Sequence, residues 1–137
     1  MTLGKYCVAM MLAAVLLMSG CQTKSGPSTY PVSGLVTYQG KPVESGRIIF
    51  VPDTTELGSG PTCACEIVAG KFSGESTAGV KKIEIYGSWE TDQMIKMDDG
   101  TGHVKKRASI PSKHNEGSKL KVDVEPARND DLVFELE

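Results

Sequence analysis

The side chains suited to chemistry are few, and they are scattered along the chain. Cys63 and Cys65 stand one residue apart. His103 and His114 are the two histidines, and Trp89 is the one tryptophan. Asp98-Asp99-Gly100-Thr101-Gly102 sets two carboxylates beside glycines, and Lys105-Lys106-Arg107 follows as a run of three cations. Two thiols at i and i+2 could form half of a metal site or a redox pair. On a strand they point to one face about 6.5 to 7 Å apart, at or beyond the reach of an unstrained disulfide. A tetrahedral metal site wants four ligands, and no second cysteine pair accompanies these. The plainer expectation is two small side chains turned to the core beside Ile67, which suits buried thiols.

The other candidates are weighed in the same way. The Asp98–Gly102 stretch has the acidity of a calcium loop without the alternating ligands and terminal Glu of an EF-hand, so it is expected as a solvated Gly-rich loop. Lys105-Lys106-Arg107, in an acidic chain, is expected on a wet face. The chain contains no Gly-x-Ser-x-Gly, His-Glu-x-x-His or Gly-x-x-x-x-Gly-Lys. The sequence therefore predicts no catalytic residue, metal ligand or cofactor, and not an enzyme. Trp89 is different. It falls where a strand runs out into a long connection, Ser88 to Ser109, and such connections tend to be functional or mobile. An indole there could stack on a sugar ring or a partner side chain, or lie as a lid over a sheet edge.

The N-terminus carries the sharpest signal. Lys5 and the amine of Met1 precede a 13-residue uncharged run, Tyr6 to Met18, and then the small residues Ser19 and Gly20. That order is a secretory signal, and the run is shorter than the roughly 20 residues needed to span a bilayer. Leu17-Met18-Ser19-Gly20-Cys21 resembles a bacterial lipobox, with Met18 in place of the commoner Leu. The resemblance implies diacylglyceryl transfer to the Cys21 thiol, cleavage before Cys21, and acylation of the new amine. Two or more acyl chains make a lasting anchor, because each buried CH₂ contributes ~0.8 kcal/mol. The expected division is 1–20 signal peptide, 21–31 lipidated tether and 32–137 folded domain. The tether, Gln22 to Pro31, is rich in Ser, Gly and Pro. As a flexible coil it would span on the order of 17 Å.

The whole chain has 15 basic and 17 acidic residues. Loss of Lys5 with the signal leaves 14 against 17, a net charge of −3 on 117 residues. A weakly acidic chain exerts no general pull on nucleic acid or anionic lipid, so nucleic acid is not an expected partner. The length suits one domain.

From Pro31 onward short runs alternate with period 2 between Gly, Pro, Asn and Asp breaks, the all-β pattern. Strands are expected at Val32–Tyr38, Arg47–Val51, Thr62–Val68, Lys71–Ser73, Lys81–Gly87, Leu120–Glu125 and Leu132–Leu136. Turns are expected at 39–42, 69–70 and 129–131, and a Gly-rich loop at 53–61. No stretch after Met18 holds a 3.6-residue apolar period for three turns. Six to seven strands argue for a Greek-key sandwich. Its predicted core is Val32, Val36, Ile48, Phe50, Cys65, Ile67, Ile83, Ile85, Leu120, Val122, Val124, Phe134 and Leu136.

Val32-x-Gly34-x-Val36-x-Tyr38-x-Gly40-x-Pro42-Val43-x-x-Gly46-x-Ile48-x-Phe50-x-Pro52 resembles the opening of carboxypeptidase-regulatory-like, or transthyretin-like, domains. It is similar above all to the small lipoproteins of that type in planctomycete bacteria. Gly70-Lys71-Phe72, Ala78-Gly79, Ile110-Pro111-Ser112-Lys113-His114-Asn115 and Ser118-x-Leu120 follow in the family's order. The match runs from Val32 to Glu137. His114 stands where the family usually has Tyr, Lys81 where a strand residue is often aromatic, and Arg128-Asn129 where a Gly-Asn turn is expected. The resemblance implies a prealbumin-like seven-stranded sandwich. A hydroxyisourate-type hydrolase of this class needs a C-terminal Tyr-Arg-Gly-Ser, and this chain ends Phe134-Glu135-Leu136-Glu137.

Function is expected to be that of a lipid-anchored, non-enzymatic binding or envelope-structural module, held to a membrane by acylated Cys21 and facing the periplasm or cell exterior. A carbohydrate- or peptide-binding accessory subunit of a membrane enzyme is the rival. The surface around Trp89 separates them: a concave aromatic face favours ligand binding, a flat charged one a spacer.

Overall fold

The computed structural model describes residues 26–53 and 60–137. The expected signal peptide, Cys21, the first part of the tether and most of the 53–61 loop lie outside the described residues. Nine strands follow one another: β1 (Thr29–Tyr38), β2 (Lys41–Pro42), β3 (Ser45–Pro52), β4 (Cys63–Val68), β5 (Lys71–Thr77), β6 (Gly79–Lys96), β7 (His103–Ser109), β8 (Lys121–Val124) and β9 (Asn129–Leu136). Among the described residues the one helical element is a 3₁₀ turn, Ser112–His114. The domain is all-β.

The strands form one sheet in the order β2-β1-β5-β4-β3-β6-β7, with β8 beside β6 and β9 beside β1. Every pairing is antiparallel except β1 with β9. Two tight turns set register. Gln39-Gly40 and Ala69-Gly70 all have positive φ, near 50° and then 76–77°, as a two-residue type I′ hairpin requires. They fix Tyr38 opposite Lys41 and Val68 opposite Lys71.

The sheet then curls. β4 and β5 share only the pairs Ile67–Phe72 and Val68–Lys71. Beyond them β4 follows β3 while β5 follows β1 as far as Thr29–Thr77. The two flaps close over one core, to which β1, β5 and β9 bring Val32, Val36, Phe72, Phe134 and Leu136. β3, β4, β6 and β8 bring Ile48, Phe50, Cys65, Ile67, Ile83, Ile85 and Val124. Phe72 bridges the flaps, 6.1 Å from Phe50 and 6.0 Å from Phe134 between ring centroids.

Several expectations shift. β1 starts at Thr29, so Thr29–Pro31 belong to the sheet and not to the tether. Their polar composition hides an alternation that Tyr30 continues. Val43, Phe72 and Ile110 join the core, while Leu120 and Val122 only flank it. Residues 129–131, expected as a turn, open β9. Asn129 is the knot there: its side chain accepts from the Glu125 amide at 2.9 Å and donates to the Glu125 and Ala127 carbonyls. Asp131, at φ 62°, absorbs the irregularity where β9 meets Gly34. A side chain at Gly34 would run into the Leu132 carbonyl.

The largest difference is at 88–109. In place of a long connection, β6 runs on to Lys96, turns, and returns as β7, forming a two-stranded arm. A bulge between Glu90 and Met94 interrupts the pairing. Thr91 sits in it and donates to the Lys106 carbonyl at 2.9 Å. Alternation is lost across the bulge and burial is absent beyond it, so the period-2 signal that marks the other strands fades here.

Candidate aromatic cleft at the root of the arm

Inner-face residues of β6 alternate as Lys81, Ile83, Ile85, Gly87 and Trp89. The same parity that buries Ile85 therefore turns the Trp89 indole inward, where it packs on the end of the core. The hairpin Tyr38-Gln39-Gly40-Lys41 delivers Tyr38 opposite it. The two rings lie 5.3 Å apart at 40°. The 3₁₀ turn brings His114 edge-on to Tyr38 at 6.3 Å, and the His114 Nε2 is 2.8 Å from the Glu137 carbonyl. Trp89 is thus half-buried at one end of the curled sheet and not an exposed loop indole.

Tyr38 and Trp89 wall a cleft of about 260 Å³ floored by Pro42 and Val43. Gln39, Lys41, Glu44 and Glu90 stand at its rim. Drug-sized sites run to about 300–1,000 Å³, so this one suits a single ring or one residue of a polymer. The packed aromatic pair forms one side of the cleft, and with Pro42, Val43 and a rim of amide, ammonium and carboxylate groups it can take one face of a ring and hydrogen-bond its substituents. Three larger hollows, about 420, 590 and 350 Å³, lie open elsewhere on the surface. The first holds Arg47, whose guanidinium sits 5.2 Å above the Tyr86 ring. Partial burial, and then the Glu84 carboxylate that accepts the Tyr86 hydroxyl at 3.2 Å, raise the Tyr86 pKa. These groups satisfy one another; at the cleft's rim Gln39 donates to the Tyr38 hydroxyl at 3.4 Å and Glu90 lies 3.9 Å from Lys105.

The thiols lie elsewhere. Cys63 and Cys65 oppose Phe50 and Ile48 on the inner face. Both are free, Cys65 buried and Cys63 partly so. Burial first, and then the neighbouring Cys63, push the Cys65 thiol pKa up, against a smaller lowering from the Glu75 backbone. Cys65 fills the space a side chain at Gly74 would need. Cys63 points its sulfur 3.5 Å from the Pro61 carbonyl. No three His, Cys, Asp or Glu side chains among the described residues come together as a metal site.

Lys81 has no counterpart in the predicted core. It is buried on the inner face, and its Nζ donates to Thr77 Oγ1 at 2.9 Å. Burial lowers its pKa, with Cys63 acting in the opposite direction.

His103 lies on the arm, opposite Lys96, far along the chain from His114 and its contact with Tyr38. Asp98–Gly102 is the arm's turn. Asp99 Oδ1 accepts from the Thr101 hydroxyl at 2.7 Å and amide at 3.0 Å. These bonds hold the Asp99 pKa below the ordinary carboxylate value. Lys105-Lys106-Arg107 is exposed on β7, with Arg107 donating to Ser88 at 2.8 Å. Sequence reasoning singled out Trp89 and missed Tyr38, Pro42 and Val43 as its companions. The Tyr38-Gln39-Gly40-Lys41 turn was the available signal, since a two-residue hairpin fixes where Tyr38 must stand.

Compared with known proteins, the chain matches no family model, no curated protein and no solved structure.

Proposed function

We propose that this chain is an exported lipoprotein, anchored through acylated Cys21, whose β-sandwich binds a neutral carbohydrate in the Tyr38–Trp89 cleft and catalyses no reaction. The carrying observation is that cleft: the surface around Trp89 is concave, with an aromatic side and a rim that includes Lys41, Glu44 and Glu90. Its size fits one pyranose ring, and its rim offers both donors and acceptors for hydroxyls. Only four groups ring it and none is paired as a nucleophile and base, so binding without chemistry is the reading the geometry supports best.

The prealbumin-like assignment rests on topology. Strands β3, β4 and β5 are neighbours in sequence and β6 returns beside β3, so the spatial order β6-β3-β4-β5 is compatible with a Greek key and supports that reading. With β1 and β9 closing the other flap and β8 beside β6, seven principal strands make two layers, as the carboxypeptidase-regulatory-like resemblance implies. The lipobox match at Leu17–Cys21 supports the anchor.

Affinity electrophoresis through gels loaded with neutral polysaccharides tests the binding claim. Wild type is expected to be retarded by at least one of them. Trp89→Ala is expected to migrate as in an unloaded gel, and Arg47→Ala, on the outer face, as wild type. Retardation that survives Trp89→Ala, or none for any polysaccharide, contradicts the proposal.

A further inference from the structure

We infer that the anchored chain carries the Tyr38–Trp89 cleft and the β6–β7 arm at its membrane-distal end. The cleft then meets a polymer in the space beyond the membrane and not a group at the bilayer surface. This rests on the lipidation of Cys21 proposed above.

The strand directions place the two ends. β1 begins at Thr29, paired with Thr77, and ends at Tyr38, paired with Lys41. Nine residue steps at about 3.3 Å put roughly 30 Å between the end where the tether enters and the cleft. β6 starts at the tether end, where Gly79 pairs with Val124, and passes Trp89 before the arm begins. Seven further residues to Lys96 add on the order of 20 Å measured along the strand. The aromatic cleft and the arm therefore share one end of the sandwich, and the tether leaves from the other.

Covalent length decides whether the domain can invert. From Cys21 to Thr29 there are eight residue steps, which span at most about 28 Å when fully extended. Turning the cleft squarely onto the bilayer would lift Thr29 about 30 Å above it, and the intervening arm would lift it a further ~20 Å. The tether is too short for that. Lying sideways is allowed by length; there the arm's four anions, Glu90, Asp92, Asp98 and Asp99, balance its four cations, Lys96, Lys105, Lys106 and Arg107, so its net charge gives no pull toward an anionic leaflet. Exposed Ile95 and Val104, a cross-strand pair on the arm, extend the distal surface beyond the cleft.

Trp89 is the chain's one tryptophan, so its fluorescence reports this end alone. Full-length lipidated protein is bound to vesicles of phosphatidylethanolamine and phosphatidylglycerol carrying a dansyl headgroup label. Energy transfer from Trp89 to the label is expected to be weak. In a Trp89→Phe, Tyr30→Trp double variant, with its indole beside the tether, transfer is expected to be several-fold stronger. Aqueous iodide is expected to quench Trp89 equally on vesicles and in detergent, a readout that needs no variant. Strong transfer from Trp89, or shielding from iodide on vesicles, overturns the orientation while leaving the anchor intact. Failure of the wild type to float with vesicles overturns the anchor and the orientation together.

Discussion

From Lys81 to Ser88 strand β6 pairs with β3, with β8 beside its start and β7 beside its end, and buried residues alternate with half-buried ones as far as Ile85. From Glu90 to Lys96 the same strand pairs with β7 alone and is almost wholly exposed. Hydrogen-bonded ladders run through both halves. What separates them is the second layer: Ile83 and Ile85 face the β1–β5–β9 flap, whereas Ile95 faces solvent. A two-stranded ribbon is marginal in water by itself. The arm is therefore held by its continuity with the rest of the curled sheet and belongs to the low-stability end of the molecule. The cleft sits at the junction, with Trp89 the last residue of the buried half.

Paired substitutions break this comparison most directly. Ile85→Asp strands a carboxylate in the core and is expected to cost about 3–5 kcal/mol. Ile95→Asp, the same change ten residues on, should stay within about 0.5 kcal/mol. Urea denaturation followed by circular dichroism measures both. Comparable losses would mean that the arm is packed in solution.

A smaller effect sharpens the picture of the buried half. Cys63 and Cys65 share a face, yet Cys65 is enclosed and its thiol pKa raised, while Cys63 is partly open. A thiol reagent should modify Cys63 first in the native protein and both together in denaturant. Cys65→Ala should cost on the order of 1 kcal/mol through lost packing, and Cys63→Ala less. Native modification of Cys65 as fast as Cys63 would refute the enclosure.

The smallest effect belongs to the arm. Asp99 has a lowered folded-state pKa. Its contribution is complete above the ordinary carboxylate value near 3.9 and is lost as pH falls through the lowered folded value. Amide exchange at Gly100 and Thr101 should quicken relative to β3 as pH drops through that acid window, after correction for intrinsic rates. Asp99→Asn should remove most of the dependence. A turn equally protected across the window would sever Asp99 from its stability.

How far the sequence foretold this follows from burial. Where one face is buried, as in β3 and β6 up to Ile85, period-2 alternation names both strand and core. Ile48, Phe50, Ile83 and Ile85 stand where it places them. Where burial stops the signal stops, so the arm was legible only as a gap between Ser88 and Ser109. Val43 and Ile110 were missed for another reason. Each follows a turn or a strand end without alternating neighbours, and each packs where a Cβ on Gly87 would stand. Lys81 ran against the apolar rule and is buried with Thr77 as its partner. Trp89 was legible as a residue type, but its meeting with Tyr38 is a product of the curled sheet, which no local pattern encodes.

Under the proposed function, ligand recognition sits where the buried half of β6 ends. Backbone amide shifts recorded while an oligosaccharide of whichever neutral polysaccharide retards the protein is titrated in provide the test. The account predicts the largest shifts at Tyr38 to Glu44 and Ser88 to Glu90, with the Trp89 indole N–H among them. Shifts centred on Arg47 and Tyr86, or on Leu35 and Val133 across the outer face, would contradict it.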